Sequence, residues 1–65
     1  MKMQDIKVGG TYCYDNYMRY KVKVLAVKVV APGASRPVSV KIRRSDGARQ
    51  IVPARQIVCR WDEEQ

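Results

Sequence analysis

The sequence has no histidine, no phenylalanine, only two cysteines and only six acidic residues among its 65 positions. Without histidine, neither a Cys/His zinc site nor a Cys-His catalytic pair can be built. The carboxylates are unpaired outside the run Asp62-Glu63-Glu64, and no serine is flanked by glycines. General acid–base and nucleophilic catalysis therefore lack their usual groups. We expect a protein that is not an enzyme and that has neither a metal ion nor another cofactor.

Long apolar runs are also missing. No segment approaches the ~20 apolar residues of a membrane span, and the opening residues Met1–Asp5 do not resemble a signal peptide. These two absences predict a cytoplasmic protein with no membrane segment. In that compartment we expect Cys13 and Cys59 to be free thiols, buried or half-buried.

The chain length predicts one small domain. With 46% hydrophobic and 29% charged residues, the composition is that of a folded globular domain. We expect a core over about residues 6–61 and an acidic tail at 62–65. A chain this short buries only about 60% of its unfolded surface, so its stability is modest. A homodimer would cover more apolar area, and Val27, Val29 and Val30 are the candidate contacts.

Basic residues strongly outnumber acidic ones. Lys and Arg number 13 against six Asp and Glu, and three of those acids lie at the C-terminal end. A small body this basic attracts polyanions, of which nucleic acid is the commonest in a cytoplasm. The alternative is that the cations only keep a small β-protein soluble and its sheet edges unpaired.

Alternation of apolar and polar residues predicts an all-β protein. Asp15–Arg19 has turn chemistry, Ala31–Pro37 is a proline-rich loop, and Ser45-Asp46-Gly47 between two alternating runs is a strong hairpin signal. Val8–Tyr14 is predicted to be a turn at Gly9-Gly10 that leads into the first strand. The other predicted strands are Tyr20–Val30, Val38–Arg44, Ala48–Val52 and Ile57–Trp61.

The second strand changes phase along its length. Tyr20, Val22 and Val24 share one face, whereas Val27 and Val29 continue the apolar pattern on the other. A slip of one residue reverses the two faces of a strand. We therefore expect a bulge or sharp bend near Leu25–Val27.

The segment Arg49–Val58 contains the letters Arg-Gln-Ile-Val twice, separated by Pro53-Ala54. Pro53 lacks the N–H that a central strand or a helix interior needs, so it ends the first copy. Proline suits the first position of a short helical turn, and Pro53–Gln56 is long enough for one turn of 3₁₀ helix. The apparent repeat is therefore predicted to be strand, 3₁₀ turn and strand.

This layout resembles the SH3-like small β-barrels, the superfamily that holds Tudor and KOW domains. The resemblance rests on Val8-Gly9-Gly10 before a strand, a long bent second strand, and Gln50–Val58 joining the last two strands. It implies a five-stranded, partly open barrel in which the first and last strands are neighbours. Cys13 and Cys59 would then lie on adjacent strands, either as two thiols or, under oxidation, as a disulfide.

A plasmid-borne type of dihydrofolate reductase is also a small barrel of this kind. Its strand carries Gln-Ile-Tyr-Pro where this chain has Gln50-Ile51-Val52-Pro53. Because the tyrosine is missing, this resemblance gives little support to an enzymatic function.

A basic surface is the first candidate site. In the third strand we expect Val38, Val40 and Ile42 to face inward and Ser39 to face outward with the cations. Residues two apart share a face of a strand, so the outward cations form one surface that can neutralise phosphates without reading sequence. The predicted nucleic-acid contacts are Lys21, Lys23, Lys41, Arg43, Arg44 and Arg49. The acidic tail is either a solvated chain end or folds back on this surface.

Aromatic residues are the second candidate. Tyr12, Tyr14 and Tyr20 fall on inward positions and are expected to build the core. Tyr17 and Trp61 remain as possible contacts, because exposed rings beside positive charge stack on single-stranded bases. Tudor domains use aromatic cages for methylated lysine or arginine, which is the function that the resemblance would imply for such rings.

Two functions from different classes follow. The first is a non-enzymatic module that binds DNA or RNA through the basic surface. The second is a protein-interaction module that binds an acidic host or regulatory protein at a groove or sheet edge, or a subunit of a larger assembly.

Overall fold

The computed structural model describes residues 1–61. It is all-β, as predicted, with five antiparallel strands in one sheet. A 3₁₀ turn precedes the last strand, also as predicted, and a second one near the N-terminus was not foreseen. The strands are β1 (Thr11–Asn16), β2 (Met18–Val29), β3 (Ser39–Arg44), β4 (Arg49–Pro53) and β5 (Ile57–Arg60), and the 3₁₀ turns are Met3–Asp5 and Ala54–Gln56.

The sheet is curled but not closed. Its strand order is β4-β3-β2-β1-β5, so β4 and β5 are the two edges and β1 and β5 are neighbours, as expected. Only Ala54–Gln56 connects the two edge strands. The four Cα–Cα steps from Pro53 to Ile57 reach at most about 14 Å, so the edges approach each other at this end. The result is a small, partly open barrel.

The concave face of the sheet forms the core. It contains the predicted aromatic residues Tyr12 and Tyr14, and Tyr20 packs against its margin. The N-terminal ammonium of Met1 donates a 2.7 Å hydrogen bond to the carbonyl of Ile57. The fully buried aliphatic side chains are Val22, Val24, Val40, Ile42 and Ile57.

The predicted irregularity in β2 is present. Pairing of β2 with β3 shifts register between Val24 and Ala26 and again between Ala26 and Val29, and Lys28 has φ of 55°. These bulges let β2 exchange its faces, which reconciles the two apolar patterns along one strand.

The predicted exposure of Val38 and Ser39 is wrong, whereas Val40 and Ile42 are buried as expected. Val38 is 55% exposed, whereas Ser39 is 3% exposed. The reason is that Val38 precedes the strand, where its N–H bonds the carbonyl of Arg36. Ser39 instead lies opposite both Val29 and Pro53, between two strands.

The turn predicted at Asp15–Arg19 is shorter in the structure. Asn16 pairs with Met18 and Asp15 with Arg19, so both strands run to the tip and only Tyr17 lies outside them. The acidic tail expected at 62–65 lies outside the described residues.

The Gly9-Gly10 turn into β1 depends on close packing. Gly9 has φ of 88°, and Gly10 lies against the ring of Tyr12, where a Cβ would be 2.7 Å from a ring carbon. The Tyr12 hydroxyl accepts a 2.8 Å hydrogen bond from the N–H of Lys7. Glycine at position 10 therefore allows the tyrosine to be buried beneath the turn.

Candidate functional site

Three cations lie in one row across the convex face of the sheet. Lys23 of β2 is directly opposite Arg43 of β3, and Arg43 is directly opposite Arg49 of β4. All three side chains are exposed. Because neighbouring strands are about 4.8 Å apart, the three backbone positions span roughly 10 Å. We call Lys23, Arg43 and Arg49 the cation row.

The cation row is electrostatically uncompensated within the described chain. None of its three side chains forms an ion pair with another residue among 1–61. Like charges directly opposite on a sheet are destabilising, by about 0.2–1 kcal/mol for a pair. This repulsion lowers the stability of the free protein, and a bound anionic partner would remove it.

A cleft of about 480 Å³ lies beside the cation row. It is open between β2 and the β3–β4 turn, and its walls carry Lys21, Lys23, Arg43 and Arg44. The turn Ser45–Gly47 forms its rim. We call this the basic cleft. Four cationic side chains around one opening give it a positive potential suited to an oxyanion.

The turn at the rim of the basic cleft is a three-residue hairpin connection. Arg44 and Ala48 pair across it, and Gly47 has φ of 93°. The Asp46 carboxylate accepts a 3.0 Å hydrogen bond from the N–H of Ala48. This acid therefore has a local structural role in shaping the turn.

Arg44 lies on the other face of the sheet from the cation row. It is directly opposite buried Val22, and its guanidinium carbon is 4.6 Å from the ring centroid of Tyr20. The sequence predicted that Arg44 shares a surface with Arg43, and this is wrong. Consecutive residues of a strand point to opposite faces. Arg44 still lines the basic cleft, at the open end of the concave face.

A second cleft of about 380 Å³ lies on the far side of Arg49. Lys41 and Arg49 provide its charge, and Ile51 and Pro32 provide apolar surface. Lys41 is half-buried and lies directly opposite Ile51, on the same face as Arg43. The cation row therefore connects two clefts into one positively charged track.

Tyr17 is at the tip of the β1–β2 hairpin and is 102% exposed. Its φ of 66° is in the left-handed region, which costs a residue other than glycine roughly 1–2 kcal/mol. Met18 beside it is 66% exposed. The sequence identified Tyr17 as a candidate, but neither its backbone conformation nor its complete exposure was foreseen.

Trp61 is half-buried and lies beside the basic cleft. The ammonium of Lys21 is 6.0 Å from the centroid of its ring. This cation–π contact links the last described residue to the wall of the cleft. Trp61 is also the single tryptophan of the chain, so its emission reports on this part of the surface.

The two cysteines lie in one row with Lys21 across three strands. Cys13 is directly opposite Lys21 on one side and Cys59 on the other, and both cysteines are thiols, as predicted. Burial raises the pKa of the Cys13 thiol above its ordinary value of 9.0, the hydrogen bond and charge of Cys59 raise it further, and Arg19 opposes the shift. Cys13 is therefore protonated at neutral pH.

The structure brings most of the predicted site residues together. Lys21, Lys23, Lys41, Arg43 and Arg49 follow the positively charged track, and Trp61 adjoins it. Arg44 reaches the basic cleft from the opposite face, and Tyr17 lies apart at the hairpin tip. Thr11, which also lines the cleft, was missed because an uncharged residue at a strand start gives no sequence signal.

Comparisons of the chain with protein-family models, curated proteins and solved structures find no match. Over residues 1–61 there is no cluster of three or more His, Cys, Asp or Glu side chains that could hold a metal ion. No helix in the described part of the chain is long and apolar enough to cross a membrane.

Proposed function

We propose that this protein is a non-enzymatic module that binds the phosphate backbone of nucleic acid along the positively charged track. The observation that supports this most strongly is the cation row, in which Lys23, Arg43 and Arg49 are directly opposite one another without carboxylate partners among residues 1–61. A chain of phosphates supplies anions at successive positions, which matches an extended track better than a single small anion would.

The chemistry of the track suits binding without sequence readout. Lysine and arginine neutralise phosphates, and two of the three residues in the cation row are arginines, which also form bidentate hydrogen bonds with phosphate oxygens. The side chains project from a sheet surface and not from an element shaped to enter a groove. Affinity would therefore come from charge and depend little on base sequence.

The test is fluorescence anisotropy of labelled oligonucleotides, with Trp61 emission followed in the same samples. If about four or five phosphates are engaged, affinity should fall roughly a hundred-fold between about 50 and 200 mM salt. Trp61 emission should change with the same dependence, because its ring contacts Lys21 at the cleft wall.

A matched pair of variants assigns the binding to the track. Arg49→Gln removes one charge from the cation row but keeps a long polar side chain, and it should weaken binding several-fold. Arg55→Gln makes the same chemical change on the 3₁₀ turn before β5, outside both clefts. Equal effects of the two substitutions would point to net charge alone, and absence of binding at low salt would remove the proposal.

An acidic protein is the alternative partner. If oligonucleotides do not bind at low salt, an acidic protein should bind the same track, and Arg49→Gln should weaken that complex. A homodimer through Val27, Val29 and Val30 also stays a proposal. Its support is weaker, because Val27 packs against the core and Val30, at 53% exposure, is the one exposed residue of the three.

We also propose that the chain belongs to the SH3-like small barrels and works in the cytoplasm. Support for the family comes from five antiparallel strands in a curled, open sheet, a bent β2, and the 3₁₀ turn between β4 and β5. An experimental structure would test the first proposal, and localisation of the tagged full chain would test the second.

A further inference from the structure

The β1–β2 and β3–β4 hairpins each contain a residue with a positive φ, but the residue types differ. The β3–β4 hairpin reverses with Gly47 at φ of 93°, where glycine adopts the left-handed region without a steric cost. The β1–β2 hairpin reverses with Tyr17 at φ of 66°. This conformation is strained in tyrosine, because the Cβ lies too close to the following carbonyl oxygen.

No packing within the described chain offsets the strain at Tyr17. Its side chain is completely exposed, and the neighbouring Met18 is largely exposed as well. A glycine or asparagine at this position would give the same turn at a lower conformational cost. Backbone strain at an exposed residue is typical of functional sites, where the side chain contacts a ligand.

Cations of β2 connect the hairpin tip with the positively charged track. β3 begins to pair with β2 only at Val22, so Met18–Lys21 project beyond β3 together with the end of β1. Arg19, Lys21 and Lys23 follow at alternate positions of the same strand. Tyr17 lies roughly 13 Å along the strand from Lys21 at the basic cleft. An aromatic ring is thus presented at one end of a line of cations.

We propose that Tyr17, supported by Met18, stacks on an unpaired base, and that the ligand of the track is therefore single-stranded nucleic acid. This inference rests on the proposed nucleic-acid function. Bases of a single strand expose their π-faces for stacking, whereas those of a duplex are already stacked on their neighbours. The cations would hold the backbone while the tip holds a base.

The charged setting favours a base over other partners for the exposed ring. A protein contact at the tip would call for an apolar patch, but the exposed pair Tyr17 and Met18 is followed by the cations Arg19 and Lys21. Stacking also tolerates any base, which fits a track that reads no sequence.

The experiment compares Tyr17→Ala with the unchanged chain on a single-stranded oligonucleotide and on a duplex of the same sequence. Loss of one stacked base should weaken single-strand binding by roughly five- to a hundred-fold. Duplex binding should be unchanged, because it depends on the cations alone. Tyr17→Trp should retain the single-strand affinity, since it preserves an aromatic face.

A second experiment detects contact between a base and the hairpin tip directly. Photo-cross-linking of an oligonucleotide that contains 5-iodouracil, followed by peptide mapping, should recover the peptide with Tyr17. Tyr17→Gly should raise the melting temperature because it relieves the left-handed strain, so weaker binding by this variant would not reflect unfolding.

The outcomes separate this inference from the proposed function. If Tyr17→Ala binds both oligonucleotides as the unchanged chain does, the stacking role is excluded while backbone binding stands. If neither oligonucleotide binds the unchanged chain at low salt, the nucleic-acid function itself fails. Binding to vesicles of anionic phospholipid that is lost in Tyr17→Ala, without an effect on oligonucleotides, would assign the tip to a membrane surface and overturn the inference.

Discussion

Cys13 of β1 and Cys59 of β5 are directly opposite each other in the antiparallel pairing of these strands. Opposed residues on antiparallel strands have Cα atoms about 4.5 or 5.5 Å apart, depending on the kind of pair. Both values lie within the range that a disulfide spans. Cys13 is fully buried and Cys59 is half-buried, so Cys59 is the sulfur that a reagent in solution meets first.

This geometry predicts that oxidised glutathione converts the two thiols to a disulfide. Exchange at Cys59 releases one reduced glutathione, and attack by the Cys13 sulfur on the mixed disulfide releases the second. The bond would close a long loop and raise the free energy of unfolding by up to about 4 kcal/mol. The expected result is a mass lower by two hydrogens and a melting temperature higher by roughly 10 °C or more.

Cys59→Ser is the control for the oxidation. This variant lacks the second thiol, so the same treatment should leave its melting temperature unchanged or give only a glutathione adduct. A rise in melting temperature in this variant, or an intermolecular dimer in the unchanged chain, would contradict the intramolecular pairing.

The raised pKa of Cys13 predicts a stability that falls at high pH. Below pH 9.0 the thiol is protonated in both the folded and the unfolded chain, and its stabilising effect is complete. Above that value the unfolded chain releases the proton while the folded chain retains it, so stability is lost as pH rises toward the folded pKa. Urea unfolding under reducing conditions should show this decline, and the decline should be shallower in Cys13→Ala.

Removal of one charge from the cation row should stabilise the free protein while weakening its binding. Arg49→Gln eliminates the repulsion from directly opposite Arg43, which is expected to add about 0.2–1 kcal/mol to the free energy of unfolding at low salt. The gain should shrink at high salt, where screening already reduces the repulsion. Urea titrations at two salt concentrations measure it, and Arg55→Gln should show no comparable gain.

The contact of Gly10 with Tyr12 predicts a strong, specific coupling. In Gly10→Ala the new Cβ would be 2.7 Å from the tyrosine ring, and the necessary rearrangement should cost about 1–3 kcal/mol of stability. In a Tyr12→Val background the ring is absent, so the added cost of Gly10→Ala should largely disappear. Additive effects in this double-mutant cycle would show that the close contact is not the cause.

Local signals in the sequence predicted much of the architecture. Pro53 required a break between the two copies of Arg-Gln-Ile-Val, and the structure has Ala54–Gln56 as a 3₁₀ turn there. The phase change in β2 required a bulge, and the register shifts on either side of Ala26 provide it. Both predictions depend on covalent or local constraints, which do not change with tertiary context.

Predictions that depended on where a strand begins were less successful. Alternation from Val38 correctly predicted buried Val40 and Ile42. It failed at Val38, which precedes the strand and is exposed, and at Ser39, which is buried where it pairs with Val29 and Pro53. Asp15–Arg19 has turn chemistry, but pairing of β1 with β2 extends almost to the tip. Pairing with a neighbouring strand decides such boundaries, and the sequence of one strand alone does not specify that pairing.

The sequence by itself determined an all-β domain with an excess of positive charge, because alternation, turn residues and net charge are properties of the chain. Only the tertiary structure aligned Lys23, Arg43 and Arg49 in one row and left Tyr17 strained and exposed at a hairpin tip. The physical reason is strand register. It brings residues of different strands within one inter-strand spacing, and alternation within one strand alone does not determine which residues face each other.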